Sequence, residues 1–103
     1  MRDPEIMARV KAILNKVEEV APGKSVELRI PPYAAIQCVE GTTHRRGTPP
    51  NVVEMNAETL FALIEARTTW AKAVQDGVIS ASGERSDLSA LFAQITRLNK
   101  GAN

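Results

Sequence analysis

The sequence predicts an α+β domain in which helices pack over one face of an antiparallel sheet. Three observations carry that prediction. Apolar residues recur at helical spacing near both ends of the chain. Between the first helix and the later ones they alternate at strand spacing, with turn residues between successive runs. The strands are grouped rather than interleaved with helices, which argues against a doubly wound parallel sheet.

Asp3-Pro4 reads as an N-cap followed by a first-turn proline. Ile6, Val10, Ile13, Leu14 and Val17 then mark the apolar stripe of a helix over roughly Pro4 to Val20. Glu5, Arg9, Lys11, Lys16 and Glu19 fill its other side, and Ala21-Pro22-Gly23 stops it. Ser25 to Ile30 alternates: Val26, Leu28 and Ile30 point one way, Glu27 and Arg29 the other. Pro31-Pro32 ends that strand, since neither can donate to a ladder. Ala34 to Val39 is apolar on both faces except at Gln37 and reads as a more central strand. Glu40-Gly41-Thr42-Thr43 suits a hairpin turn, with a short return strand at His44 to Arg46. Gly47-Thr48-Pro49-Pro50 is a rigid loop, and Asn51 to Met55 a further strand.

Asn56 caps a helix carrying Leu60, Leu63 and Ile64, and Thr69 caps a short one through Trp70 and Val74, closed by Asp76-Gly77. Val78 to Ser82 is a strand ended by Gly83. Asp87 caps a last helix with Leu88, Leu91, Phe92, Ile95 and Leu98 on one stripe, and Gly101 is its natural stop. Neighbouring strands joined by tight turns imply an antiparallel meander, with Ser25 to Val39 as one hairpin turning at Pro31-Pro32.

A length of 103 residues fits one domain, 1–103, without room for a second core. The net charge of +1 lacks the basic face of a nucleic-acid domain, and the four aromatics give little for stacking on bases or sugars. No apolar stretch approaches the ~20 residues a membrane span needs, so no stable membrane insertion is expected. The N-terminus has an early acid and no apolar core behind it, unlike a signal peptide. A lone cysteine, Cys38, fits a reducing compartment, and the cytoplasm is the expected location.

Chemistry-bearing motifs are scarce. The chain has no Gly-rich phosphate loop and no nucleophile elbow, and one His and one Cys make a poor metal set, so neither cofactor nor metal is expected. Cys38 and His44 are the one pair to weigh as a catalytic dyad, with Arg45 facing Cys38 if Gly41-Thr42 is the hairpin tip. The plainer reading is a small buried cysteine in a strand and a solvated histidine on a loop. Glu84 and Asp87 flank a helix start, and capping suffices to explain Asp87. Trp70 reads equally as a pocket wall or as a core anchor between two helices. Thr42 to Pro50 reads as a recognition loop or, more plainly, as a stiffened connection.

Two blocks of residues resemble a known family. One runs from the capped helix Asn56-Ala57-Glu58-Thr59-Leu60-Phe61-Ala62-Leu63, through Trp70 to Gly77, to Val78-Ile79-Ser80-Ala81-Ser82-Gly83-Glu84-Arg85-Ser86-Asp87-Leu88 and on to Leu91. The other joins Pro31-Pro32-Tyr33-Ala34-Ala35-Ile36-Gln37-Cys38-Val39-Glu40-Gly41 to Arg46-Gly47-Thr48-Pro49-Pro50-Asn51-Val52-Val53-Glu54. Together they resemble the sterol carrier protein (SCP2-like) family, in its small bacterial, actinobacterial form. Ala66 stands where that family often has Gly between the helices.

The resemblance implies an SCP2-like sheet of about five strands under the helices and an apolar tunnel between the two layers. It implies a non-catalytic carrier or binder of an apolar small molecule or lipid, a fatty acid, acyl chain or sterol-like compound. The apolar positions of the resembling half would line the tunnel: Leu60, Leu63, Ile64, Trp70, Val74, Ile79, Leu91, Phe92 and Ile95. Two other readings stand beside it. One is a dimerisation or protein-interaction module accessory to an enzyme, as a homodimer or with a protein partner. The other is a Cys-dependent enzyme.

Overall fold

A computed structural model describes residues 3–41 and 51–101. Helix α1 spans Pro4–Val20, and Asp3 caps it by accepting from the Glu5 and Ile6 amides. It buries Val10, Leu14 and Val17, one face at spacings of four and three. Strands β1 (Val26–Ile30) and β2 (Ala34–Cys38) follow, then β3 (Asn51–Met55). Helices α2 (Ala57–Ile64) and α3 (Trp70–Gln75) precede β4 (Ile79–Ser82) and α4 (Ser89–Gly101). Asn56 accepts from the Thr59 amide to cap α2, and Thr69 accepts from the Lys72 amide to cap α3.

The sheet order among the described residues is β2-β1-β3-β4. β1 and β2 form the expected antiparallel hairpin, with Val26 opposite Cys38 and Ile30 opposite Ala34. β1 and β3 run parallel, so the sheet is mixed and has four described strands, not an all-antiparallel five. The reason is topological. Cys38 at the end of β2 and Asn51 at the start of β3 both register with Val26. The chain leaves β2 on one side of β1 and enters β3 on the other, which makes β3 parallel to the strand it passes. The strand expected at His44 to Arg46 lies outside the described residues.

Among the described residues β2 is an edge of this sheet, not a central strand. Its apolar residues are small on the outer face, where Ala35 is exposed, and Ile36 packs inward against the core. Val26, Leu28, Ile30, Val53 and Met55 point to the helical side and are buried. Arg29, Glu54, Ser80 and Ser82 occupy the opposite face and are exposed. The helices therefore cover one face only, as the alternation requires. α2 packs against both α4 and α1, which also touch each other, while α3 lies beside β4 and α4. That position explains why α2 buries Ala57, Thr59, Leu60, Leu63 and Ile64, more than a single stripe.

One polar residue stands in the inward rank. Asn51 is buried in line with Val26 and Cys38. Its amide Nδ2 donates to the Ser25 carbonyl at 2.7 Å, and its Oδ1 accepts from the Arg85 amide at 2.9 Å. The Arg85 guanidinium in turn donates to the Glu40 carbonyl at 3.2 Å. Asn51 thus ties the starts of β1 and β3 to the loop before α4. Nearby, Gly23 has φ +150°, and a Cβ there would lie 2.1 Å from the Val39 carbonyl oxygen. Val39, at φ +66°, turns that carbonyl to accept from the Ser25 amide and hydroxyl.

The α2 C-terminus closes in the left-handed motif that Gly favours. The Arg67 amide donates to the Ala62 carbonyl at 2.8 Å and the Ala66 amide to Leu63 at 3.2 Å. Ala66 occupies the left-handed position, at φ +59°. Two expectations follow. Replacing Asn51 with Ala leaves the Ser25 carbonyl and Arg85 amide without partners and should cost about 1–3 kcal/mol in urea unfolding. Ala66→Gly removes a Cβ clash in the left-handed region and should raise stability by about 1 kcal/mol. A neutral Asn51→Ala, or a destabilising Ala66→Gly, contradicts these assignments.

Candidate functional site

Trp70 is half-buried at the start of α3, directly after the Thr69 cap. Its ring stacks on Phe92 of α4, with centroids 5.9 Å apart and planes 20° from parallel. Trp70 is therefore both a core anchor and a wall. On its open side lies a cavity of about 350 Å³, lined by Leu63, Thr68, Thr69, Trp70, Ala71, Ser89, Phe92, Ala93 and Thr96. None of these side chains is charged. The Thr96 hydroxyl donates to the Leu63 carbonyl at 2.9 Å, which satisfies an acceptor at the end of α2.

A second depression, of about 410 Å³, lies on the other flank of α4, against α1. It is lined by Arg9, Ala12, Ile13, Lys16, Ile64, Ile95, Leu98 and Asn99. Arg9 lies over the Phe61 ring at 4.1 Å and pairs with Glu65. Arg9 and Arg67 together hold the Glu65 carboxyl below the usual carboxylate range.

The nine residues expected to line one tunnel are distributed over four environments. Leu63, Trp70 and Phe92 meet at the Trp70 cavity, and Ile64 and Ile95 floor the α1–α4 groove. Leu60 and Ile79 are buried in the main core, and Leu91 packs against it half-exposed. Val74 points outward, 42% exposed. The lining residues that sequence reasoning missed are small or hydroxylated: Thr68, Ala71, Ser89, Ala93 and Thr96. No apolar periodicity singles them out. Thr69 was visible only as a cap.

Asp87 accepts from the Ser89 amide at 2.9 Å, and this bond holds its carboxyl below its ordinary pKa. Asp87 stands two residues before α4, one short of the cap position expected for it, and the bond to Ser89 accounts for its carboxyl. Among the described residues no group of three or more His, Cys, Asp and Glu side chains is placed to hold a metal ion. No described helix is long and apolar enough to cross a membrane.

Cys38 is fully buried in the inward rank of β2. Burial, and then the nearby Glu18 carboxylate, push its thiol up to about 11. The thiolate that a nucleophile needs is disfavoured there. His44 and Arg45, the partners of the expected dyad, lie outside the described residues. The folded state holds the thiol proton more tightly than the unfolded state, whose value is near 9.0. This group therefore stabilises the fold fully below about pH 9, and its contribution falls as pH rises towards 11. Between those values the wild type should lose stability relative to Cys38→Ala in urea unfolding. Parallel pH profiles for the two proteins contradict this placement of the thiol.

The comparisons with known proteins agree with the fold. A family described as the bacterial SCP ortholog matches residues 2–93. The structure of a UbiJ-SCP2 ubiquinone synthesis protein aligns with a TM-score of 0.54 at 14% identity, covering 98% of this chain and 97% of that one. Sterol Carrier Protein 2 Like 2 from Aedes aegypti aligns with a TM-score of 0.43 at 19% identity, covering 86% and 92%. No curated protein sequence matches the chain. At 14% identity the UbiJ-SCP2 structure speaks for the fold alone, and the family match, over nearly the whole chain, speaks for descent: the chain belongs to the bacterial SCP ortholog family of sterol carrier protein domains.

Proposed function

We propose that the chain is a non-catalytic binder of an apolar ligand, a fatty acid, acyl chain or sterol-like lipid, which it takes up at the Trp70 cavity. The observation that carries this reading is the lining. About 350 Å³ of space is walled by an aromatic pair, aliphatic carbon and small hydroxylated residues, without a charged side chain. That volume lies in the range of small-molecule sites, roughly 300–1,000 Å³. Three of the nine expected lining residues, Leu63, Trp70 and Phe92, converge there. Leu60 and Ile79 lie deeper in the core, and they would be reached by a ligand that extends inward towards the sheet.

The energetics suit a weak to moderate binder. Removing ~250 Å² of apolar surface from water gives roughly 6 kcal/mol before ordering costs. Hydroxyls in the lining, those of Thr68 and Ser89, would meet the polar end of a ligand whose tail lies against Phe92. The raised Cys38 thiol supports the non-catalytic part of the reading, because it removes the best nucleophile of the chain from use near neutral pH.

The reading has a direct optical test, since Trp70 is the sole tryptophan. Titration with dodecanol or dodecanoate should change its fluorescence saturably at micromolar concentrations. Ala93 lines the cavity from the exposed side of α4. Ala93→Phe should fill the space and weaken binding by roughly tenfold, while stability changes by less than ~0.5 kcal/mol, as at other surface positions. A flat titration of the wild type, or equal affinities for the two proteins, contradicts the proposal.

A further inference from the structure

The α1–α4 groove lies on the opposite flank of α4 from the Trp70 cavity and has a different character. Ile13, Ile64, Ile95 and Leu98 form its apolar floor and wall, and Leu98 is left 46% exposed. A large aliphatic side chain half in water on a helix already docked by Phe92 and Ile95 is unpartnered surface. Among the described residues the charged side chains lining the groove are Arg9 and Lys16, both cationic. They stand seven residues apart on α1, two turns or about 10 Å along its axis. α4 as a whole carries Arg97 and Lys100 and no acidic residue from Ser89 to Gly101.

We propose that this groove seats an acidic amphipathic helix of a partner protein. Two helices side by side with an apolar valley between them are the usual seat for a third, which is read through anchors at i, i+3 or i+4, and i+7. The spacing of Arg9 and Lys16 matches the i to i+7 length of such a helix, so acids flanking its apolar stripe meet a cation at each end. The cations are free to change partners. The Lys16–Glu19 pair is 3.4 Å long and exposed, so it holds little energy. Arg9 is steadied by the Phe61 ring, and its guanidinium has five donors, of which Glu65 occupies one side. The proposal is independent of the ligand cavity, which shares no lining residue with the groove.

The test uses a stapled helical peptide of about 14 residues, with leucines on one face and glutamates flanking them, and a twin with lysines in place of the glutamates. Binding is followed by amide and methyl NMR shifts of the full chain. The acidic peptide should shift Ile13, Ile95 and Leu98 and leave the Trp70 indole unmoved. The basic twin should bind roughly fivefold to tenfold more weakly, and added salt should narrow the gap. Lys16→Glu should shift the preference towards the basic peptide. Leu98→Ser should weaken both peptides without loss of fold, because Leu98 is already largely in water. Equal affinities for the two peptides overturn the proposal. So do shifts centred on Trp70. Concentration-dependent shifts at Ile13 and Leu98 in the peptide-free protein assign the groove to a second copy of the chain and also overturn it.

Discussion

Alternation along β1 places Val26, Leu28 and Ile30 under the helices, and the rest of the structure depends on that register. A strand has period two, so a slip by one residue would turn Glu27 and Arg29 into the core. The register is fixed on both sides. Leu28 stands between Ile36 of β2 and Val53 of β3, and Val26 between Cys38 and Asn51. Asn51 then converts the polar end of the inward rank into a fastening, because each of its amide groups finds a backbone partner. Paired in this way, a buried amide costs little, while a slipped register leaves both partners unsatisfied.

The helical layer inherits its arrangement from the same face. α1, α2 and α4 pack on one another, and the end of α2 reaches two separate depressions, one on each flank of α4. Leu63 and Ile64, adjacent in sequence, face one each. Between them α4 crosses the end of α2, and Thr96 donates to the Leu63 carbonyl there. One depression is uncharged and contains the aromatic pair, and the other is edged by cations. The same helix pair thus separates a surface suited to an uncharged tail from one suited to an acidic partner.

Much of this was legible in the residues. Caps at Asp3, Asn56 and Thr69 set helix starts correctly, because each is a side-chain acceptor placed for amides two or three residues on. The Ser25 to Val39 hairpin was legible from β1 alternation and Pro31-Pro32. The parallel pairing of β3 was not, since pairing partners are set by where the chain crosses β1 and leave no local pattern. The aliphatic run in β2 suggested a central strand, yet a small outer face of Ala35 suits an edge equally well. Of the nine apolar positions expected at one tunnel, three lie beside the Trp70 cavity. Helical spacing identifies residues that leave water, and it does not separate those beside a cavity from those in solid packing. Trp70 and Phe92 fall on the cavity, Leu60 and Ile79 in the packed core, and Val74 in solvent. Ala66 is the converse case: its departure from a glycine pattern coincides with a left-handed φ that the family's glycine would adopt without strain.

The central claim is that an apolar chain lies against Trp70 and Phe92, and contact between ligand and protein protons measures it most directly. With a ¹³C-labelled alkyl chain bound to the protein, isotope-filtered NOEs should connect the chain to the Trp70 and Phe92 rings and to the Leu63 methyls. NOEs confined to Ile13 and Leu98, or none to any of these residues in a saturated sample, would contradict the account.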